Sequence, residues 1–286
     1  MKLRRFIILN TLIVSVTLNT GKIAAQKVDP LQSLRIMTEK AAEVKTLKYD
    51  AFMHERIGDK FVDKTSFFKI NVAPFKIYVR ESFLGIKIEG LFNEGFNQNK
   101  LLITTFGFPW VHSTLDPYGK KVRNNHHHTI FETGFDYFVS VVNNLIDSHY
   151  NELKLKYDGV EIMYDRPCYK ITIVDDSFKY IYHTVQPGEN LTTIAKKNFI
   201  NDYMILELNP DLNYYDDVKP GQVILIPNVY AKQMVLYLDK VLMLPIQIDI
   251  YDDKGYYAGY AYKNLTINPS FAWNEFNTTF KDYHFR

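Results

Sequence analysis

The chain has 286 residues, 47% hydrophobic and 23% charged, which argues against a disordered polypeptide and leaves room for a large core and a second small domain. The formal net charge is only +2, so the balance gives no reason to expect nucleic acid or an acidic membrane as partner. Aromatics make up 15%, with 21 Tyr and 20 Phe, a bias toward the half-buried faces of a sheet.

Lys2, Arg4 and Arg5 form a basic start, residues 6–18 an apolar run, and Ala24-Ala25 a small-residue cleavage point. This pattern predicts a secretory signal peptide over residues 1–25 and export to the periplasm or cell envelope. The run is short for a bilayer span, so the mature chain is not expected to be an integral membrane protein; a retained anchor is the alternative. No cysteine lies near the cleavage point to carry a lipid. Removing Lys2, Arg4, Arg5 and Lys22 turns the net charge slightly negative, so the apparent basicity belongs to the signal. Cys168 is the one cysteine; it excludes an intramolecular disulfide and, in an apolar alternating run, reads as a buried inert thiol.

Asp29-Pro30 starts a helix over residues 29–44, with Leu31, Leu34, Met37 and Ala41 at helical spacing. Strand-like runs follow at 47–57, 64–72, 75–80, 85–92 and 101–106, separated at hairpin spacing. Residues 135–153 carry a second helical period through Phe135, Phe138, Val142, Leu145 and Ile146. Strands resume at 160–164 and 168–174, and again at 234–239, 245–251 and 257–265, the last two joined by the turn Asp252-Asp253-Lys254-Gly255.

Between them lies a different unit. Residues 180–185 alternate as a short strand, Pro187-Gly188 turns the chain, and Asn190 caps a helix carrying Leu191, Ile194, Ala195 and Phe199. Tyr203, Leu206 and Leu208 fit a second short helix ended by Asn209-Pro210. Lys219-Pro220-Gly221 is a turn, and Val223 to Ile226 closes as a strand. Such a β-α-α-β unit begins and ends on neighbouring antiparallel strands, so it can replace a hairpin loop of its host.

Tyr182-His183-Thr184-Val185, Pro187-Gly188-Glu189-Asn190-Leu191, Ile194-Ala195, Leu208-Asn209-Pro210 and Lys219-Pro220-Gly221-Gln222 with Ile226-Pro227 resemble the LysM module, a sugar-binding domain of cell-wall proteins. The resemblance implies peptidoglycan, or a related N-acetylglucosamine polymer, as partner. By motif position it implies a sugar groove between Gln186, Pro187, Gly188, Glu189, Asn190 and Leu191 on one side and Asn209, Pro210, Asp211 and Leu212 on the other. The chain departs from the family at Glu189-Asn190 and at Tyr214-Tyr215-Asp216-Asp217. The flanking segments Leu244-Pro245, Ile248-Asp249-Ile250-Tyr251 and Leu265-Thr266-Ile267-Asn268-Pro269 look like the last strands of the periplasmic lipoprotein-carrier and sigma-regulator fold. His54-Glu55-Arg56, Pro74-Phe75-Lys76-Ile77-Tyr78 and Gly134-Phe135 look like an uncharacterised family of bacterial envelope proteins. The implied fold is α+β: a curved antiparallel half-barrel with helices on one face and an apolar cavity, plus the inserted β-α-α-β module. The expected domains are a discontinuous sheet domain at 27–179 and 228–286 and the LysM domain at 180–227.

His126-His127-His128 is the metal candidate. On a strand, His126 and His128 would share one face, but no third ligand is placed by spacing, so no metal or other cofactor is assigned. Glu55-Arg56 reads as a structural ion pair. No nucleophile elbow, Cys-His signature, P-loop or dinucleotide fingerprint occurs, and Asp249, Asp252 and Asp253 fit a turn better than a glycosidase pair. The expectation is a non-catalytic envelope protein that binds peptidoglycan through the module, with a host domain for lipid, lipoprotein or a protein partner. A periplasmic lipid or lipoprotein carrier, and a LysM-targeted peptidoglycan hydrolase, are the alternatives.

Overall fold

The computed structural model describes residues 28–285 except Leu84. The predicted signal peptide lies outside the described residues. Helix α1 (Pro30–Ala42) starts as its sequence dictates: Asp29 Oδ1 accepts from Leu31 N at 2.9 Å, and Pro30 occupies the first turn. Five strands and a short edge strand follow as a meander: β1 (Thr46–Ile57), β2 (Lys60–Asn71), β3 (Lys76–Phe83), β4 (Ile86–Asn93), β5 (Leu101–Phe106) and β6 (His112–Leu115). A single turn, α2 (Lys120–Arg123), leads through an irregular segment to α3 (Asp136–Ser148). The chain then forms β7 (Leu153–Met163) and β8 (Arg166–Asp175) before entering the insert. The insert contains β9 (Tyr180–Thr184), α4 (Leu191–Asn198), α5 (Asp202–Leu208) and β10 (Val223–Pro227). The host resumes with β11 (Gln233–Asp239), β12 (Pro245–Asp252) and β13 (Gly255–Ile267).

The host strands form one antiparallel sheet of 11, in the order β6-β5-β4-β3-β2-β1-β13-β12-β11-β8-β7. Its two edges do not pair with each other, so the barrel is open. β1 and β13, from opposite ends of the host sequence, pair along most of their length and join the two halves. The fold class is thus the expected one: a largely antiparallel sheet with few helices and a small separate sheet in the insert.

The inner face follows strict alternation. Leu47, Tyr49 and Ala51 of β1 point inward with Phe68 and Ile70 of β2. On the other half, Ile171, Ile173, Leu236, Leu238, Ile248 and Ile250 bury against Leu34 and Met37 of α1 and Val141, Val142 and Leu145 of α3. The outer face is covered locally by the C-terminal tail: Tyr283 stacks on Tyr78 at 3.8 Å, and His284 N donates to Glu89 Oε2 at 2.8 Å.

The insert leaves and returns on adjacent rungs. Val174 of β8 pairs with Gln233 of β11, and Asp175 N donates to Lys232 O at 3.0 Å. Asn228 closes the neck, accepting from Lys179 N at 2.8 Å and donating to Ser177 O at 3.0 Å. β9 pairs with β10 alone, over a core of Val185, Leu191, Ile194, Ile205, Ile224 and Ile226.

Several local expectations need correction. The helix expected to reach residue 153 ends at Ser148, and Leu153 begins a strand. Residues 126–128 are not on a strand, so the one-face argument for His126 and His128 does not apply. Glu55 and Arg56 do not pair with each other: as strand neighbours they face opposite ways, and Arg56 instead meets Asp252 and, at 3.2 Å, Glu207. In α5 the most buried side chains are Met204 and Ile205 rather than Tyr203, Leu206 and Leu208, because the helix is covered from two sides.

Candidate functional site

The first rim of the expected sugar groove is the β9–α4 loop. Gly188 takes a φ of 83°, a left-handed conformation that a side chain disfavours. Glu189 Oε2 then accepts from Gln186 N at 3.0 Å and from the His183 ring at 2.8 Å. The hydrogen bond from the Gln186 backbone, with that from His183 and the nearby Lys197 charge, holds the Glu189 carboxyl below its usual range. Asn190 and Thr193 exchange side-chain and backbone bonds at 2.8 Å, a reciprocal cap that fixes the start of α4. The second rim is the α5–β10 loop. Asn209 is fully used inside it, donating to Ile205 O at 2.7 Å and Leu225 O at 2.8 Å and accepting from Leu225 N at 2.9 Å. The rims meet where Leu191 N donates to Tyr215 O at 2.8 Å.

The ten expected groove residues therefore divide by role. Gln186, Pro187, Gly188, Pro210 and Asp211 are exposed on the rims. Glu189, Asn190 and Asn209 are partly buried with their side chains already bonded. Leu191 and Leu212 are in the module core. What the rims offer a ligand is mainly backbone, with the Gln186 and Asp211 side chains.

A second feature lies in the host. A cavity of about 870 Å³ opens between the sheet and the segment 120–138. Its walls are largely apolar, including Met53, Phe68, Ile103, Ile248 and Phe138. Gly90 is part of the floor: a Cβ there would fall 2.7 Å from Val79 Cγ1. One end is polar, with Glu55, Lys64, Glu81, His126, His128 and Glu132. Glu55 Oε1 accepts from Tyr260 OH at 2.8 Å, while its buried Oε2 has no hydrogen-bond partner among the described residues. Burial would raise the Glu55 carboxyl, but the neighbouring imidazoles of His127, His126 and His128 and the Lys64 ammonium outweigh it and hold it below its ordinary value. Burial pushes Lys64 down to about 8. His128 feels burial too, yet its 2.9 Å bond to Glu132 wins and raises it. Such a cavity can enclose an apolar chain and meet a polar head at one end. Among the described residues, no group of three or more His, Cys, Asp or Glu is placed to hold a metal ion.

Residues 183–227 match the LysM domain. No curated protein matches the chain. Similar solved structures include Mycobacterium tuberculosis lipoprotein LppX, 11% identical, TM-score 0.40, over 84% of this chain and 96% of that one. LprF from Mycobacterium bovis is 9% identical, TM-score 0.42, over 85% and 95%. A LolA superfamily protein from Nitrosomonas europaea is 7% identical, TM-score 0.26, over 85% and 95%.

The LysM domain is not tethered loosely to its host. Arg123 forks onto Asp202 at 3.0 and 2.7 Å, donates to Thr192 Oγ1 at 3.2 Å and lies 3.4 Å from the Tyr215 ring centroid. His127 is sandwiched between Tyr203 of the LysM domain and Tyr257 of the host, at 4.6 and 4.4 Å. Its Nε2 lies 2.7 Å from Arg56 O. Asn201 links both sides, donating to His127 O at 3.3 Å and accepting from Tyr257 OH at 3.0 Å. Tyr214, one of the departures from the family pattern, donates to Tyr118 O at 2.5 Å. The unusual aromatic loop thus serves the host contact. Sequence spacing gave no sign of these partners, which lie 56 to 130 positions apart.

Proposed function

We propose that the chain is a non-catalytic cell-envelope protein that holds the N-acetylglucosamine polymer of peptidoglycan through its LysM domain. The match over 183–227 carries this proposal. Support comes from the exposed rims at 186–188 and 210–211, and from the firm cap and turn that pre-form them. The absence of nucleophile motifs from the sequence favours binding over hydrolysis. Asp252 is tied to Arg56, and Asp249 is engaged by Gln247 at 3.1 Å, which fits structural roles for both carboxylates. Export to the periplasm or envelope goes with this role. No helix among the described residues is long and apolar enough to cross a membrane. The test is retention of the folded mature chain on purified peptidoglycan, with release by soluble N-acetylglucosamine oligomers. A folded sample that washes through overturns the sugar-binding role, and release of soluble muropeptides overturns the non-catalytic one.

A second role belongs to the host, and the cavity favours it: carriage of a lipid or acyl chain. A fluorescent fatty acid should bind with saturable kinetics and be displaced by a phospholipid or acylated peptide. No binding by the folded chain would overturn it.

A further inference from the structure

The net charge gives no reason to expect a membrane, but the local make-up of one hairpin does. Residues 101–115 contain no Asp, Glu, Lys or Arg. At the turn between β5 and β6, Phe108 is 82% exposed and Trp110 72% exposed, their rings edge to face at 5.8 Å; Val111 beside them is exposed too. The loop that presents them is held in place. Thr105 N donates to Val111 O at 3.0 Å, Val111 N donates to Thr105 Oγ1 at 2.7 Å, and Thr105 Oγ1 donates to Pro109 O. A loop with these bonds made keeps two large aromatics in water instead of folding them back, and paired exposed aromatics mark a contact surface.

The tip adjoins the cavity lining. Phe106 pairs with Lys87, and Lys87 pairs with Ser82; Thr105 pairs with Ile88. Ser82 and Ile88 both line the cavity. One exposed ammonium group lies beside the tip: Lys87 sits 4.7 Å over the Phe106 ring. The exposed carboxylate of the lining, Asp63, is already tied to His54.

We propose that the 106–111 tip docks on an anionic phospholipid bilayer and brings the adjoining cavity wall at Ser82 and Ile88 to that surface. Between Phe106 and Val111 the only hydrogen-bonding side-chain group is the indole N–H of Trp110. A protein partner would need directional groups to fix its register, whereas a bilayer interface accepts apolar rings and an amphipathic indole at headgroup level. The neighbouring Lys87 complements anionic headgroups. Docking stands on the tip alone; a use for the cavity wall at that surface rests on the lipid-carrying role proposed above.

The chain has two tryptophans, so Trp273→Phe leaves Trp110 as the sole reporter. The mature Trp273→Phe chain is titrated with vesicles of phosphatidylethanolamine and phosphatidylglycerol. Emission should shift to the blue and be quenched by acyl-brominated lipid. In the otherwise native mature chain, Phe108→Ser with Trp110→Ser should lower vesicle co-sedimentation by roughly tenfold or more, through loss of buried apolar area. Fatty-acid binding in the cavity should survive that change. Unchanged Trp110 emission, or undiminished vesicle binding by the double variant, overturns docking. Concentration-dependent self-association that the double variant abolishes also overturns it, by giving the tip a second copy as occupant. Vesicle docking without fatty-acid binding leaves the tip assigned and removes the carrier role.

Discussion

Arg123 in α2 and Asp202 at the start of α5 form a bidentate ion pair, at 3.0 and 2.7 Å, between the host and the LysM domain, with both side chains almost wholly buried. The fork geometry, Thr192 and the Tyr215 ring compensate most of the hydration the two charges lose, while Arg123 Nε has no hydrogen-bond partner among the described residues. The consequence is asymmetric. Arg123→Ala should cost about 3–5 kcal/mol, because it strands the Asp202 carboxylate in the interface. Replacing both partners, Arg123→Met with Asp202→Leu, should recover most of that loss. Urea unfolding of the single and double variants measures the difference. Equal losses in Arg123→Ala and in the double replacement would show that the pair is not the source of the effect.

Ala51 lies on the cavity wall. Ala51→Phe directs a ring into space that is otherwise open, so the fold should tolerate it better than a change in a filled core. A bound acyl chain would lose contact for at least two methylenes, about 1.6 kcal/mol, or roughly tenfold in affinity. Fluorescent fatty-acid titration checks this, with circular dichroism to confirm the fold. Unchanged affinity in a folded variant would place the ligand elsewhere.

Gly188 tests the turn beside the sugar rims. Its φ is 83°, and a Cβ added there would meet nothing within 4 Å. Gly188→Ala should therefore cost about 1–2 kcal/mol through backbone strain alone. Gly188→Asn should cost less, since Asn tolerates the left-handed region. Thermal unfolding ranks the three; Ala and Gly of equal stability would mean that the loop relaxes out of that conformation.

What was legible in the sequence was what is local. Pro187-Gly188, the Asn190 cap and Asn209-Pro210 act within a few residues of themselves, so the LysM unit could be read end to end. Strand alternation in β1 to β5 likewise reports a face that each strand buries on its own account. Contacts across the fold were not legible. Met204 sits in a helix expected to serve only the module, yet it enters the host core. Arg123 gave no signal, since a single Arg in a short polar turn ordinarily faces water. β6 was missed because four residues at an edge leave little pattern. The tail beyond 268 has no periodicity: Phe276, Phe280, Tyr283 and Phe285 pack one by one on Tyr78, Leu91 and Phe67 of an already formed sheet. The cavity could be implied only through the family resemblance, because empty space has no residue of its own. Gly90 and Ala51, with little or no side chain, both line it.

His127 sets the expected response to acid. It is fully buried between two tyrosine rings, and burial pushes it down to about 4 from an ordinary value near 6.5. The folded protein therefore keeps it neutral where the unfolded chain already binds a proton. Stability from this group is complete above about pH 6.5 and is lost as pH falls through about 4, with a total near 3 kcal/mol. His128 works the other way: its raised value stabilises the fold at low pH, and that contribution fades as pH rises through its folded value. Between pH 6.5 and 5, where few carboxylates titrate, the His127 slope adds to one of the same sign from His126, which burial also lowers. His127→Phe keeps a ring in the sandwich but removes the titration, so its unfolding free energy should be lower at neutral pH through loss of the bond to Arg56 O, and flatter over that window. Unfolding by urea at stepped pH gives both curves. A His127→Phe curve as steep as the parent's would assign the acid sensitivity to another group.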